Sequence, residues 1–338
     1  MFTNKMRKDS KVVSRFALAL AVPVISAGIL SLASSVSAEV IQSTLGSAGP
    51  DNWAILSLGG NIAVQDTVTL NGPGTTIGNV GATSTTDLAL NSSSAPAILG
   101  NVYMGNTSNF NGSAANINGP GGQIQGTIFT NQDTLLNAAS AQALAAHITF
   151  DNLPNTFTVA GGSISGTKTL TATVNGANVT DLTNITLGNN EILTLDGAGL
   201  ADAQFVINFN GVISLNGSAT GGKILLTGGL TSHDVLFNYT GSATGDVVKS
   251  SGGSSGSTPN AVFSGVYLVT SADVNLSPGV VYGEIIGASS GNKITLVSGS
   301  EVVNPPSSVP VPAALPAGLA GMAALGVWRW RKNRQSMS

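Results

Sequence analysis

The chain contains no cysteine among its 338 residues. This absence excludes disulfide staples, thiolate metal ligands and cysteine nucleophiles. There are only two histidines, His147 and His233, and neither has a second histidine at metal-ligand spacing. Carboxylates stand singly, without the Asp-x-Asp-x-Asp-Gly pattern of a calcium loop, although Asp196, Asp202 and Asp234 could still converge in space. We therefore expect no cofactor and no metal site.

Charged residues are also scarce, at 9% of the chain. The basic residues cluster at the two ends, and the central body has no arginine and 4 lysines, which are Lys168, Lys223, Lys249 and Lys293. Against these lysines stand 15 Asp and Glu residues, so the body has a net charge of −11, which the whole-chain value of −3 hides. A body this acidic lacks the positively charged surface that binds the phosphates of nucleic acid. We expect no nucleic-acid partner.

The body is poor in the groups that enzymes use. Glycoside hydrolysis needs a pair of carboxylates, and such sites hold the sugar with basic and aromatic side chains. Here Trp53 is the only tryptophan of the body. The sequence Gly252–Gly256 matches the Gly-x-Ser-x-Gly motif that carries the nucleophilic serine of many hydrolases. It lies in a Ser/Gly-rich stretch, however, without the preceding strand and following helix that this motif needs. We expect no catalytic residue, with a carbohydrate-active enzyme as a minor alternative.

The N-terminal segment, from Met1 to Ala38, has the plan of a secretory signal peptide. A basic stretch up to Arg15 precedes the apolar run Phe16–Leu32 and the small residues Val36-Ser37-Ala38. This order predicts export and cleavage by signal peptidase between Ala38 and Glu39. An uncleaved N-terminal anchor is the alternative.

The C-terminus carries a second targeting segment. A Pro-rich linker (304–312) leads into an apolar run (313–328) and a basic end (329–338). The motif residues are Val309, Pro310, Val311, Pro312, Ala313 and Ala314, and the basic stop consists of Arg329, Arg331, Lys332 and Arg334. The run is short for a membrane span, which needs about 20 residues. The positive-inside rule places its basic end in the cytoplasm. The pattern predicts a transmembrane helix that holds the chain transiently, with a permanent anchor as the alternative.

This order of elements resembles the PEP-CTERM sorting signal of Gram-negative bacteria, most closely its Val-Pro-Leu-Pro-Ala variant. Val311 stands where the signal usually has a glutamate between the prolines. The resemblance implies cleavage near the motif by an exosortase, an integral-membrane cysteine protease, in a species that makes exopolysaccharide. It implies a precursor tethered to the inner membrane and a mature form at the cell surface or in the extracellular matrix.

Between the two targeting segments, short strand-like runs alternate with Gly and Asn, which is the signature of strands and turns. One phrase recurs in the runs 77–80, 99–102 and 125–128, each with a glycine as its second member. It returns around Gly265 and again around Gly283. A period of about 20 residues predicts the rungs of an all-β solenoid. A β-sandwich is the alternative.

One segment breaks the β pattern. Residues 131–147 are rich in Ala and Leu, with Leu135, Ala139, Ala143 and Ala146 at helical spacing and Asn131 or Asp133 as the cap. We expect a helix that lies flat along a sheet. Residues 249–260 read as a flexible Ser/Gly loop within the body.

The body 39–303 resembles the ice-binding-like β-solenoid family and the related anchored surface modules of bacteria. The repeated phrase, the interrupting Ala-rich helix, Asp234–Tyr239 and the closing segment Ala261–Ile286 carry this resemblance over roughly Trp53 to Ser300. It implies a right-handed parallel coil with one long helix packed alongside.

Ice binding needs a flat face of Thr and small residues, and Thr167, Thr169, Thr171 and Thr173 alternate as one strand of such a face requires. From these features we expect an exported, non-catalytic surface or exopolysaccharide-matrix protein. The alternative is a module that binds ice or polysaccharide through a flat face.

Both cleavages can be checked by one measurement. We expect the mature chain to begin at Glu39 and to end near Ala313, as read by mass spectrometry of the terminal peptides of protein recovered from the native cells. An N-terminus at Met1 or a C-terminus at Ser338 would instead show that the respective segment is retained as an anchor.

Overall fold

A computed structural model describes most of the body. The residues described are 40–50, 52–64, 69–71, 77–79, 87–90, 98, 101–106, 109–111, 124, 126–217, 220–251, 261–297 and 299–304. They belong to the compact unit Met1–Pro305. The predicted signal peptide, sorting motif, transmembrane helix and basic end lie outside these residues. Within them, no helix has the length and apolar character that a membrane crossing requires.

The described residues form two α-helices, two 3₁₀ turns and 23 strands. The helices are α1 (Val40–Leu45) and α2 (Asp133–Asp151), and the 3₁₀ turns are Gly46–Ala48 and Ser232–Asp234. The strands are β1 (Ile55–Ser57), β2 (Asn61–Val64), β3 (Thr69–Asn71), β4 (Ile77–Asn79), β5 (Asp87–Leu90), β6 (Val102–Tyr103), β7 (Asn109–Asn111), β8 (Ile128–Phe129), β9 (Ser163–Ser165), β10 (Lys168–Thr171), β11 (Gly176–Leu182), β12 (Asn184–Leu187), β13 (Ile192–Asp196), β14 (Ala203–Phe209), β15 (Ile213–Asn216), β16 (Lys223–Thr227), β17 (Val235–Tyr239), β18 (Asp246–Ser251), β19 (Val262–Val269), β20 (Asp273–Leu276), β21 (Val280–Gly287), β22 (Lys293–Leu296) and β23 (Glu301–Val303).

The strands stack in parallel on three faces. Face 1 is a nine-stranded sheet in the order β7-β5-β2-β22-β20-β18-β15-β12-β9. Face 2 runs β10-β13-β16-β19-β21-β23-β3, and face 3 runs β11-β14-β17-β19-β21-β1-β4-β6-β8. Every pairing between these strands is parallel, which fits the predicted solenoid and not the antiparallel sheets of a sandwich.

Faces 2 and 3 are continuous because β19 and β21 turn the corner between them. Gly265 and Gly283 lie opposite each other in register at this corner, with φ of 130° and 138°. A residue with a Cβ rarely adopts such angles. A Cβ on Gly283 would also lie 2.1 Å from the carbonyl oxygen of Gly265. The predicted equivalence of these two glycines in successive rungs is confirmed, and close approach of two backbones explains it.

The first and last rungs of the body pair with each other. Strands β1, β2 and β3 bond to β21, β22 and β23 respectively, and we call this junction the seam. The turns beside it interlock, since Leu58 N donates to Gly287 O at 2.8 Å and Asn61 N donates to Asn292 O at 3.0 Å. The chain therefore does not coil steadily from one end to the other. Strands β1–β8 stack away from the seam in one direction, and the chain then returns through α2. Strands β9–β23 stack from the far side towards the seam, where the last rung pairs with the first.

Rung lengths vary more than the repeated phrase predicts. One rung is the stretch of chain from a residue to its partner on the next strand of the same face. The rung from Phe205 on β14 to Val235 on β17 is longer than the rung from Val262 on β19 to Val280 on β21. The phrase at 77–80 is also misaligned, because Ile77 pairs with Val102 and Gly78 therefore lies opposite Tyr103, not opposite Gly100. The predicted loop 249–260 begins too early, since β18 continues to Ser251.

The inward side chains of the three faces form one continuous apolar interior. A second apolar cluster lies outside face 3, between that sheet and the two helices. Helix α2 contributes Leu136, Ala139, Ala143, Ala146 and Phe150 to it. The predicted stripe is confirmed except at its first position, because Leu136 is buried and Leu135 is 40% exposed.

Both ends of helix α2 are hydrogen-bonded to other parts of the body. The predicted cap is wrong, because Gln132 occupies the N-cap without a side-chain bond, and the Asp133 carboxylate accepts from Asn106 N at 3.0 Å. At the other end, Asn238 Nδ2 donates to His147 O at 3.2 Å and Asn208 Nδ2 donates to Phe150 O at 3.0 Å. These two side chains bond to carbonyls near the C-terminus of the helix and so fix it against face 3.

The corner glycines provide a test of the fold. We expect Gly283→Ala to lower the free energy of unfolding by about 2 kcal/mol or more, because the side chain adds backbone strain and meets the opposing carbonyl. Gly245→Ala is the matched control, since no atom lies within 4 Å of a Cβ there. Urea unfolding monitored by circular dichroism measures both. Equal stability of the two variants would contradict the tight corner.

One buried hydroxyl gives a pH dependence. The ring of Tyr267 stacks on Phe237 with centroids 4.9 Å apart, and its hydroxyl has no hydrogen-bond partner among the described residues. Burial raises the pKa of Tyr267 well above its ordinary value. Unfolded tyrosine ionises near pH 10. Above that pH the unfolded chain releases a proton that the folded chain keeps, so the free energy of unfolding falls as pH rises.

We expect Tyr267→Phe to flatten this alkaline decrease and to raise stability at pH 7 by about 1 kcal/mol, since an unpaired buried hydroxyl is unfavourable. Tyr282→Phe is the control, because that side chain is exposed. Urea unfolding between pH 7 and 11 compares the variants. A Tyr267→Phe slope equal to that of the parent chain would rule out this tyrosine as its source.

Candidate functional site

Face 2 presents threonine hydroxyls among aliphatic side chains. Along each strand, alternate residues point into the apolar interior and the intervening residues point outward, as the two-residue period of a strand requires. We call the outward set the threonine face. Its described members are Thr169, Thr171, Ile192, Thr194, Asp196, Lys223, Leu225, Thr227, Val262, Ser264, Val280, Tyr282, Glu301 and Val303, of which Ser264 and Val280 are buried.

The predicted binding threonines divide into two groups. Thr169 and Thr171 are exposed on β10 and belong to the threonine face. Thr167 precedes the strand, and its hydroxyl accepts from Ile192 N at 3.2 Å, so it joins two rungs. Thr173 lies beyond the strand in a turn that Asn178 organises, with Thr173 N donating to Asn178 Oδ1 at 2.8 Å. The structure thus places two of the four threonines on the face.

Neighbouring rungs supply members that the sequence pattern missed. Thr194 lies in register with Thr169, and Thr227 lies two rungs from Thr171 in the same row, with Asp196 between them. The residues that continue each row are one whole rung apart in the chain. Strand register alone brings them together, and a search for alternation within one strand could not find them.

Three hydroxyls of this face are available to solvent. Within the described part of the chain, Thr169, Thr171 and Thr194 make no side-chain hydrogen bond, while Ile192 and Leu225 lie beside them with partly exposed aliphatic groups. Adjacent strands of a sheet are about 4.8 Å apart. The face therefore holds its side chains at a fixed interval on a hydrogen-bonded backbone, with hydroxyls on the adjacent residues Thr169 and Thr194.

Charges lie beside the central row of the threonine face and not in it. This row consists of Thr169, Thr194, Leu225, Ser264, Tyr282 and Val303. The charged members Asp196, Lys223 and Glu301 occupy the two flanking rows. The carboxylate of Asp196 accepts from Ala198 N at 3.0 Å, so it is engaged in its own turn.

Face 1 differs in chemistry. Its outward side chains are almost all polar, and many bond to one another. Ser251 Oγ donates to Asn216 Oδ1 at 2.7 Å, and Asn275 Nδ2 donates to Asp246 Oδ2 at 2.9 Å. Lys249 and Lys293 also lie on this face. Because the helices cover face 3, the threonine face is the exposed surface on which hydroxyl and aliphatic groups are mixed.

The part of the chain that the structure describes contains no group of three His, Asp or Glu side chains able to hold a metal ion. His147 Nδ1 lies 2.8 Å from Asn238 Oδ1, and His233 Nε2 lies 3.0 Å from Asn304 Oδ1. The Asp234 carboxylate accepts from the backbone and hydroxyl of Thr231, both at 2.7 Å. Both histidines and Asp234 thus serve local structure.

No protein-family model matches the chain, and no curated protein matches it. Similar solved structures are ice-binding proteins. The glycosylated ice-binding protein LeIBP from Arctic yeast is 21% identical, with a TM-score of 0.48 over 79% of this chain and 95% of that one. The ice-binding protein of the Antarctic ascomycete Antarctomyces psychrotrophicus is 18% identical, with a TM-score of 0.46 over 77% and 96%.

A bacterial structure is similar to the same extent. The DUF3494 domain of Shewanella frigidimarina ice-binding protein_1 is 19% identical, with a TM-score of 0.45 over 77% of this chain and 95% of that one. The ligand of this chain must therefore be argued from its own residues.

Proposed function

We propose that the chain is an exported, non-catalytic protein whose threonine face binds ice. The observation that carries this proposal is the uncharged central row, in which the unbonded hydroxyls of Thr169 and Thr194 stand beside aliphatic groups on paired strands. Ice is a regular array of water molecules, so a face that binds it needs groups repeated at a regular interval. Strands about 4.8 Å apart supply that interval.

The chemistry of the row suits an ordered water surface. A hydroxyl can both donate to and accept from water. Methyl and aliphatic groups favour removal of their surface from liquid water. Charged groups hold their own hydration shells, so their absence from the central row favours contact with lattice water. Side chains on paired strands also lose little conformational freedom on binding, which lowers the cost of association.

The wider role follows from the targeting segments. The predicted leader and sorting tail support display at the cell surface or in an exopolysaccharide matrix, where the acidic body would meet external ligands. Polysaccharide is a second candidate ligand, and Tyr282 is the specific observation for it. Its ring is 44% exposed within the central row, and an amphipathic aromatic side chain is suited to contact with a sugar ring.

A pair of threonine substitutions tests the ice proposal. We expect Thr194→Tyr to lower thermal hysteresis by about tenfold or more, because the ring replaces one of the two adjacent unbonded hydroxyls and holds ice away from the other, Thr169. Thr186→Tyr is the matched control. Thr186 is an exposed outward residue on β12 of face 1, in the same turn of the coil.

The measurement is nanolitre osmometry on the purified mature chain, with circular dichroism to show that both variants fold. Absence of thermal hysteresis in the parent chain would reject ice as the ligand, and equal loss in both variants would reject this face. A glycan pulldown that Tyr282→Ala abolishes, without any thermal hysteresis, would favour polysaccharide.

A further inference from the structure

Asn304 is the last described residue of the body, and its side chain is buried to 1% exposure. It was expected at the start of the Pro-rich linker, but its amide nitrogen donates to Trp53 O at 2.5 Å and to Pro50 O. Its Oδ1 lies 3.0 Å from His233 Nε2. Since two carbonyls face the amide nitrogen, the amide oxygen must face the histidine, which donates to it.

These contacts join three distant parts of the chain. Asn304 lies 254 residues after Pro50 and 71 residues after His233. It directly follows β23, which is an interior strand of face 2 between β21 and β3. The side chain therefore reaches its partners only when the last rung has paired at the seam.

The N-terminal partner is a segment that lies over face 3. We call its described residues, 40–50, 52 and 53, the strap. Gln204 Oε1 accepts from Val40 N at 2.8 Å at one end of it, and Ser47 Oγ donates to Gln142 Oε1 at 2.7 Å in its middle. The strap's own Ile41, Leu45 and Trp53 are buried in the outer apolar cluster.

We propose that Asn304 is a latch that closes the strap only after the final rung has formed. A primary amide is suited to this task because it offers two donors and an acceptor at once. An aspartate could accept from His233 but could not donate to the two carbonyls, and an alanine could do neither. Without the latch, Pro50 O, Trp53 O and His233 each lose a buried hydrogen bond, which favours local opening of the strap.

The latch also sets where the folded body ends. The predicted sorting tail follows within a few residues, so this consequence rests on the proposed processing of that tail. A cut before Asn304 would open the strap and expose the apolar side chains beneath it, whereas a cut after it would leave the strap closed. Processing is therefore compatible with a folded surface protein only on the C-terminal side of Asn304.

Hydrogen exchange measured by mass spectrometry tests the latch on the full chain in mild detergent. We expect Asn304→Ala and Asn304→Asp to lower protection of strap amides such as Ser47, Gly49 and Asn52 by about tenfold or more. These amides bond within the strap or to Gln142. Amides of β13 and β16 should keep the protection of the parent chain. Asn189→Ala, an exposed asparagine far from the strap in sequence, is the control and should change neither region.

Two results would overturn the proposal. Strap amides that stay protected in both Asn304 variants would show that the latch is not needed. Equal loss of protection in the strap and in β13 and β16 would show a general stabilising role instead. If Asn304→Ala does not fold, Asn304→Asp, which keeps the shape of the side chain and its contact with His233, decides the question by the same comparison.

Discussion

The seam between the first and last rungs is the constraint on which the rest of the body depends. A solenoid rung buries its apolar side only by stacking on its neighbours. Here β1, β2 and β3 find that neighbour in β21, β22 and β23, at the opposite end of the body sequence. In a chain without cysteine, these strand bonds and the shared interior replace a covalent link. The seam also brings Asn304 to the strap, so both ends of the body are held at one place.

The covering of face 3 and the chemistry of face 1 determine which surface is left for a ligand. Face 3 is occupied, because the helices pack on its outer apolar cluster and Asn208 and Asn238 bond to carbonyls near the C-terminus of α2. Face 1 is polar, and many of its side chains bond to one another. The corner at Gly265 and Gly283 turns the chain from face 2 into face 3, which keeps the two surfaces distinct. The threonine face is what remains exposed with hydroxyl and aliphatic groups together.

Much of the local structure could be predicted from the chain itself. Alternation and Asn-Gly turns predicted the strands, the Ala-rich segment predicted α2 to within two residues at its start and four at its end, and the repeated phrase predicted that Gly265 and Gly283 occupy equivalent places in successive rungs. The errors have a common cause. Leu135 and Leu136 are equally apolar, and only the direction from which face 3 meets the helix decides that Leu136 is buried. Thr167 and Thr173 alternate with Thr169 and Thr171, but neighbouring rungs and turns engage them instead.

The sequence by itself determined that the body is acidic, free of cysteine and built from short strands, because composition and alternation are local properties. Only the tertiary structure decided that Thr194 lies beside Thr169, that the last rung lies against the first, and that Asn304 belongs to the body and not to the linker. These are matters of register and of contacts between residues far apart in the chain. A two-residue period leaves the choice of partner strand open, and burial of the whole interior is what selects it.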